Sequence, residues 1–300
     1  MVTPGSAAAD LPTALVTGGT DGIGRAVASR LARSGFRVLV AGRNLSRGTA
    51  QVEAMRAAQA SATLPVADHG FLGADLSLLA DTADLADRVR DHTGRLDALV
   101  CCAGNFALRP EWTDEGLERS LVLNYLSRFL LARRLVPLLT QAFSGRLVLM
   151  ANAGTYPDTL NFEDLQYRRG RPGLRVASRT QFANDLLAVE LAERWRDTAV
   201  AVTCVFPGVV RDDLFRHAIG LPRPLAALLG GLAGRFGLPP EVAADTPAWL
   251  ASAPEAADLT GGFFGPRRQP RPVPDRARRQ DRRTLLWNAS EDLTAKWLHE

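Results

Sequence analysis

The chain has 300 residues, 46% of them hydrophobic, which is enough apolar surface for a full core without disulfide or metal cross-links. Its three cysteines include an adjacent pair, Cys101 and Cys102, inside an apolar run; that spacing argues against a metal site and a disulfide framework, and fits a reducing cytoplasm. The net charge of +4 arises in one segment, residues 267–283, where eight arginines face only Asp275 and Asp281; with no aromatics interleaved for base stacking, it reads as a solvated surface rather than a nucleic-acid interface.

Residues 1–10 lack the basic start and apolar centre of a signal peptide, and 1–11 read as a flexible N-terminus. From residue 12 onward, apolar runs and helical spacings alternate as in one doubly wound parallel sheet of Rossmann type, an α/β fold occupying 12–300. The expected strands are Ala14 to Thr17, Arg37 to Ala41, His69 to Gly73, Ala98 to Cys102, Gly145 to Met150 and Val200 to Phe206. Helical spacing marks Arg25 to Ser34, Leu78 to Thr93, Thr113 to Leu139 and Val176 to Trp195. An insertion at about 157–175 and a stretch at about 213–237 break the alternation. The second of these carries Leu214, Phe215, Ile219, Leu221, Leu225, Leu228, Leu229, Leu232 and Phe236, interrupted by Pro222, Pro224 and Gly230-Gly231, and reads as a small lid of two short apolar helices. Its longest weakly polar run, Leu225 to Gly234, is too short to span a bilayer.

Between the first strand and the first helix lies Thr17-Gly18-Gly19-Thr20-Asp21-Gly22-Ile23-Gly24. A chain that leaves a buried strand and enters a helix so quickly needs glycine for the tight turn and for close approach of a pyrophosphate, which the free N–H groups and positive end of the helix would then hold. Ligands of such sheets lie beyond the carboxyl ends of the strands, so the residues there form one site. Arg43, followed by Asn44, ends the second strand where an acidic residue would grip an unphosphorylated ribose; an arginine favours a 2′-phosphate and hence NADPH. Asp75, followed by Leu76, ends the third strand and can accept the adenine amino group. Cys102, Ala103 and Gly104 end the fourth, small enough for a cofactor to lie against the backbone.

On these residues the chain, over about 12–298, resembles the short-chain dehydrogenase/reductases, in a layout close to the retinol-dehydrogenase branch. The resemblance matches Thr17 to Gly24 to the family's glycine motif, Asp75 to its adenine-side aspartate, and Cys101-Cys102-Ala103-Gly104 to its Asn-Asn-Ala-Gly strand end with both asparagines lost. It matches Asn124 to the family's helix asparagine, a candidate catalytic residue. Pro207-Gly208-Val209-Val210, followed by Arg211 to Leu214, matches the nicotinamide-side turn, and Trp287-Asn288-Ala289-Ser290 the branch's C-terminal helix. In the family, the region after that turn closes over the substrate.

Family chemistry uses a serine and a tyrosine on the substrate carbonyl and a lysine that lowers the tyrosine pKa and holds the nicotinamide ribose. By this matching the three positions are Ala151, Ala177 and Gln181. Realignment cannot restore the lysine, because Lys296 is the only one in the chain. Tyr125 adjoins Asn124 on a helix, while Tyr156 and Tyr167 lie at the insertion.

Three functions fit this pattern. The first is an NADPH-dependent ketoreductase without a protein acid, in which a substrate hydroxyl polarises the ketone from within. The second is an NADP(H)-binding sensor or partner subunit without activity, and the third a non-redox tailoring enzyme such as a cyclase or dehydratase. A lost Ser/Tyr/Lys set beside an apolar two-helix lid resembles atypical angucyclinone ketoreductases, which implies a polycyclic aromatic polyketide ketone as substrate and a place in antibiotic biosynthesis. The oligomeric state stays open, since long apolar-striped helices suit a monomer and a pair alike.

Overall fold

A computed structural model describes residues 11–211 and 218–298. The flexible N-terminus expected for 1–11 falls almost wholly outside these residues, as do Leu214 and Phe215 of the expected lid.

The strands are β1 (Thr13–Thr17), β2 (Arg37–Gly42), β3 (Gly70–Gly73), β4 (Ala98–Cys101), β5 (Gly145–Met150), β6 (Val200–Val205), β7 (Phe263–Phe264) and β8 (Pro270–Arg271). The helices are α1 (Gly22–Arg33), α2 (Leu45–Ser61), α3 (Leu79–His92), α4 (Arg119–Leu121), α5 (Ser127–Leu139), α6 (Leu174–Arg194), α7 (Arg223–Phe236), α8 (Pro240–Ala243), α9 (Asp245–Ser252), α10 (Asp275–Arg278) and α11 (Gln280–Leu298). One eight-stranded sheet runs in the order β3-β2-β1-β4-β5-β6-β7-β8, parallel throughout except for the terminal β7–β8 pair. The sheet is therefore mostly, not wholly, parallel.

The near-continuous Val/Leu/Ala runs of β1, β2, β4, β5 and β6 are what a sheet covered on both faces requires, and their residues are buried almost throughout. Leu15, Leu39, Leu99, Leu147 and Val202 point into one core with Phe129, Phe182 and Trp287; Val16, Val40, Val100, Val148 and Val205 point into the other with Val27, Leu31 and Leu250. The chain order reverses between β2 and β4 on either side of β1, so a crevice opens at the carboxyl ends of β1 and β4.

The helix expected from Thr113 begins at Arg119 instead. Glu118 caps it, both carboxylate oxygens accepting N–H groups, from Ser120 at 3.1 Å and Leu121 at 2.7 Å. Between α4 and α5 the helix widens into a π turn, Val122–Leu126, which contains Asn124. The two lid helices expected after β6 are one, α7, among the described residues. It runs through Gly230-Gly231 because Ala226, Gly230 and Ala233 form its single buried face, where small side chains permit close packing. Its large residues point outward, with Leu228 59% and Phe236 75% exposed.

Candidate active site

The turn after β1 is built as its sequence requires. Gly18 (φ +65°) lies so close to the end of β4 that a Cβ would stand 2.9 Å from the Cα of Ala103, and a Cβ on Gly24 would stand 2.2 Å from the carbonyl oxygen of Gly18. Thr20 and Ile23 line the same turn half-buried, and Gly22 (φ +48°) opens α1. Asp21 caps α1, accepting the N–H of Gly22 at 2.8 Å, and its other oxygen pairs with Arg47 at 2.5 Å. That pairing matters electrostatically, since an unpaired carboxylate at a helix N-terminus would repel the phosphates the turn is shaped to hold. The N–H groups of Ile23 and Gly24, at the start of α1, have no acceptor among the described residues, which fits the pyrophosphate of a dinucleotide.

Arg43 and Asp75 meet beyond β2 and β3, with Nη1 4.0 Å from Oδ2. Arg43 is otherwise open to solvent, its side chain 73% exposed. Asp75 uses its other oxygen to accept the N–H and hydroxyl of Ser77 at 3.0 and 2.8 Å. Asn44 caps α2 by accepting the N–H of Arg47 at 2.9 Å, and Leu76 is buried in the core. Cys102 follows β4 half-buried, its thiol pushed up to about 12 by burial. The N–H of Ala103 donates to Thr17 Oγ1 at 3.3 Å, and Gly104 is exposed. Beyond β6, Pro207 and Gly208 (φ +87°) turn under Leu238 and Pro266, and Val210 is buried by a bridge to Leu238.

Asn124 is buried and fully engaged. Its Oδ1 accepts the N–H of Asn105 at 2.8 Å, and its Nδ2 donates to the carbonyl oxygen and Oδ1 of Asn105, both at 3.1 Å. Its own carbonyl oxygen accepts from Asn184 Nδ2 at 2.9 Å. Ala151 and Ala177 are both closed into protein, 5% and 3% exposed. Gln181 is half-buried one turn along α6, and Asn152 is half-buried just past β5. Neither of these two side-chain amides makes a hydrogen bond within the described residues. Tyr125 shares a hydrogen bond with Ser290 Oγ on α11, 2.8 Å away, and burial raises its phenol.

Three side chains that the sequence reading missed complete the site's floor. Arg128, one turn after Asn124, donates to the carbonyl oxygens of Met150 (2.6 Å) and Ala103 (2.9 Å) and to Asn184 Oδ1 (3.1 Å), tying together the ends of β4, β5 and α6. Thr180 lies 3.4 Å from Asn124 Nδ2. Asp185, behind β5, accepts the N–H of Gly154 at 3.0 Å and is raised to about 6 by burial, against the pull of that N–H and of Arg276. The i, i+4 spacing of Asn124 and Arg128, and of Gln181 and Asp185, is the signal that could have marked two of them.

The insertion closes the site on one side. Arg179, between Ala177 and Gln181 on α6, pairs with Glu118 where both are buried, and donates to the carbonyl oxygen of Leu165 at 2.7 Å. An open cleft lies above it, lined by Thr159, Asn161, Asp164, Tyr167, Arg171 and Arg175. Leu108 donates its N–H to the carbonyl oxygen of Ile219 at 2.7 Å, Ile219 donates to that of Phe106 at 2.9 Å, and Gly173 donates to that of Leu108 at 2.7 Å, so loop, insertion and lid base border one opening.

Residues 12–161 match the model of the short chain dehydrogenase family. Human retinol dehydrogenase 14 is 31% identical over 287 residues, covering 93% of this chain and 85% of that protein. DnrU of Streptomyces sp. (strain C5), described as a daunorubicin C-13 ketoreductase, is 33% identical over 265 residues, covering 85% of this chain and 83% of its own length. Among solved structures, an uncharacterized protein from Mycobacterium paratuberculosis superposes with a TM-score of 0.69 at 27% identity, covering 96% of this chain and 97% of that one.

Proposed function

The chain belongs to the short-chain dehydrogenase family of oxidoreductases, and from that we propose that it is an NADPH-dependent ketoreductase acting on a polycyclic aromatic polyketide ketone without a protein acid. The observation that carries the reading is a pairing. The glycine turn after β1 leaves the N–H groups of Ile23 and Gly24 without an acceptor among the described residues, while Ala151 and Ala177, the positions matched to the family's serine and tyrosine, carry only closed-over methyl groups.

When bound, the cofactor supplies the hydride. The glycine turn and the N-terminus of α1 hold the pyrophosphate, and Arg43 takes a 2′-phosphate with a charge-assisted hydrogen bond. The small residues Cys102 to Gly104 let the nicotinamide end lie against the backbone. Negative charge growing on the ketone oxygen is met by a hydroxyl on the neighbouring ring carbon of the substrate, and such stabilisation is a large part of many catalytic effects. The similarity to a daunorubicin ketoreductase and the resemblance to the angucyclinone ketoreductase of simocyclinone biosynthesis support a substrate of this kind, and with it a role in antibiotic biosynthesis.

The direct test is NADPH oxidation in the presence of an angucyclinone bearing a hydroxyl beside its ketone. Turnover there and none with a simple aliphatic ketone is the expected result; binding of NADPH without turnover of any such ketone would favour the inactive sensor.

A further inference from the structure

Arg128 is 4% exposed, and a guanidinium so deeply buried ordinarily sits against a carboxylate. This one does not. Its three hydrogen bonds go to two peptide carbonyls and one neutral amide, and its Nε has no partner. The groups that press on it electrostatically are the thiols of Cys101, Cys102 and Cys204. Burial drives those thiols up, the first two to about 12, so they stay neutral. Among the described residues, then, no carboxylate compensates this positive charge, which is fixed under the ends of β4 and β5, bonded to the carbonyl oxygen of Met150, next to Ala151, and to that of Ala103.

We propose that Arg128 is a positioning residue that biases the nucleotide site toward the reduced cofactor, its buried charge disfavouring the oxidised, positively charged nicotinamide while favouring negative charge on the oxygen of a ketone being reduced. The inference rests on the ketoreductase reading above. The oxidised nicotinamide ring carries one positive charge and the reduced ring none, so a fixed cation nearby raises the free energy of the oxidised form alone. In the reaction, hydride passes from the reduced ring to the carbonyl carbon, the π pair moves to oxygen, and that oxygen takes a proton from the substrate's neighbouring hydroxyl or from solvent. The fixed cation opposes the charge change on the ring and assists the one on oxygen. The two nucleotide affinities report the effect on the ring directly.

The test compares the affinities of NADPH and NADP⁺ for the full chain by fluorescence or calorimetric titration, without any ketone. Arg128→Lys keeps the charge. Arg128→Met removes it, and Asn184→Asp, at the amide 3.1 Å from Arg128 Nη1, compensates it without cutting the side chain back. The wild type and Arg128→Lys should prefer NADPH. Asn184→Asp, and Arg128→Met where it folds, should shift the ratio toward NADP⁺ by about tenfold or more, the order expected for unit charges several ångströms apart at an effective dielectric near 20. A brace with no electrostatic role would weaken both nucleotides alike, and an unchanged ratio in a folded Asn184→Asp protein overturns the proposal. Failure of the wild type to bind either nucleotide would instead sink the ketoreductase reading beneath it.

Discussion

Arg43 Nη1 stands 4.0 Å from Asp75 Oδ2, so a basic and an acidic side chain meet across the ends of β2 and β3. The contact is long and largely exposed, contributes little to stability, and leaves the guanidinium available to a phosphate.

Arg43→Ala should therefore weaken NADPH binding while leaving NADH nearly unaffected. The expected loss is about 1.5–3 kcal/mol, the range of a hydrogen bond to a charged group. Titration of both nucleotides against both proteins measures it. Equal affinity of the unmodified protein for NADH and NADPH would make Arg43 an ordinary surface residue.

Two tyrosines are the obvious substitutes for the missing acid. Tyr156 is half-buried with its phenol raised by burial, and Tyr167 packs its ring against Arg179 at 5.4 Å. Under substrate assistance Tyr156→Phe and Tyr167→Phe should each keep kcat within about tenfold, whereas loss of a true general acid costs about 10²–10⁴-fold. A fall of that size with nucleotide binding intact would place the donor in the insertion.

Substrate assistance is tested most directly on the ketone. Methylating the hydroxyl beside the carbonyl should reduce turnover strongly, while a methyl at a remote hydroxyl should not, once competition shows that each ketone occupies the site. The complementary protein is the triple variant Ala151→Ser, Ala177→Tyr, Gln181→Lys. It should gain little, because Ala151 and Ala177 are closed into the core and larger side chains there overpack it. Parent-rate turnover of the blocked ketone would falsify the mechanism.

Asp185 and His69 should shape stability in opposite directions with pH. Burial raises Asp185 from 3.8 to about 6, so its contribution is fully present below pH 3.8 and is lost as pH rises through about 6. Two units correspond to about 3 kcal/mol. Burial lowers His69 from 6.5 to about 4; the neutral ring accepts the N–H of Val38 on Nδ1 and faces Gln59 Oε1 through Nε2, so its contribution holds above pH 6.5 and is lost as pH falls through about 4. Asp185→Asn should thus raise Tm at about pH 8 and change it little at about pH 4. Equal shifts at both pH values would show that Asp185 does not titrate in this range.

The sequence by itself determined the features whose causes are local. Gly18, Gly22 and Gly24 are dictated by the turn they occupy, and the doubly wound order of β1 to β6 follows from buried strands alternating with helices. That Lys296 is the chain's one lysine was likewise legible, because it is a matter of residue identity. Only the tertiary structure decided what depends on distant partners. Two-residue strands such as β7 and β8 exist through their pairing with β6 and each other, which no local pattern announces. The helix expected from Thr113 starts late because Glu118 is held by Arg179, 61 residues on. Arg128 had the sequence signature of any helix arginine. It became a buried charge because β4, β5 and α6 converge on it with carbonyls and an amide rather than a carboxylate, and electrostatics of that kind belong to the assembled fold.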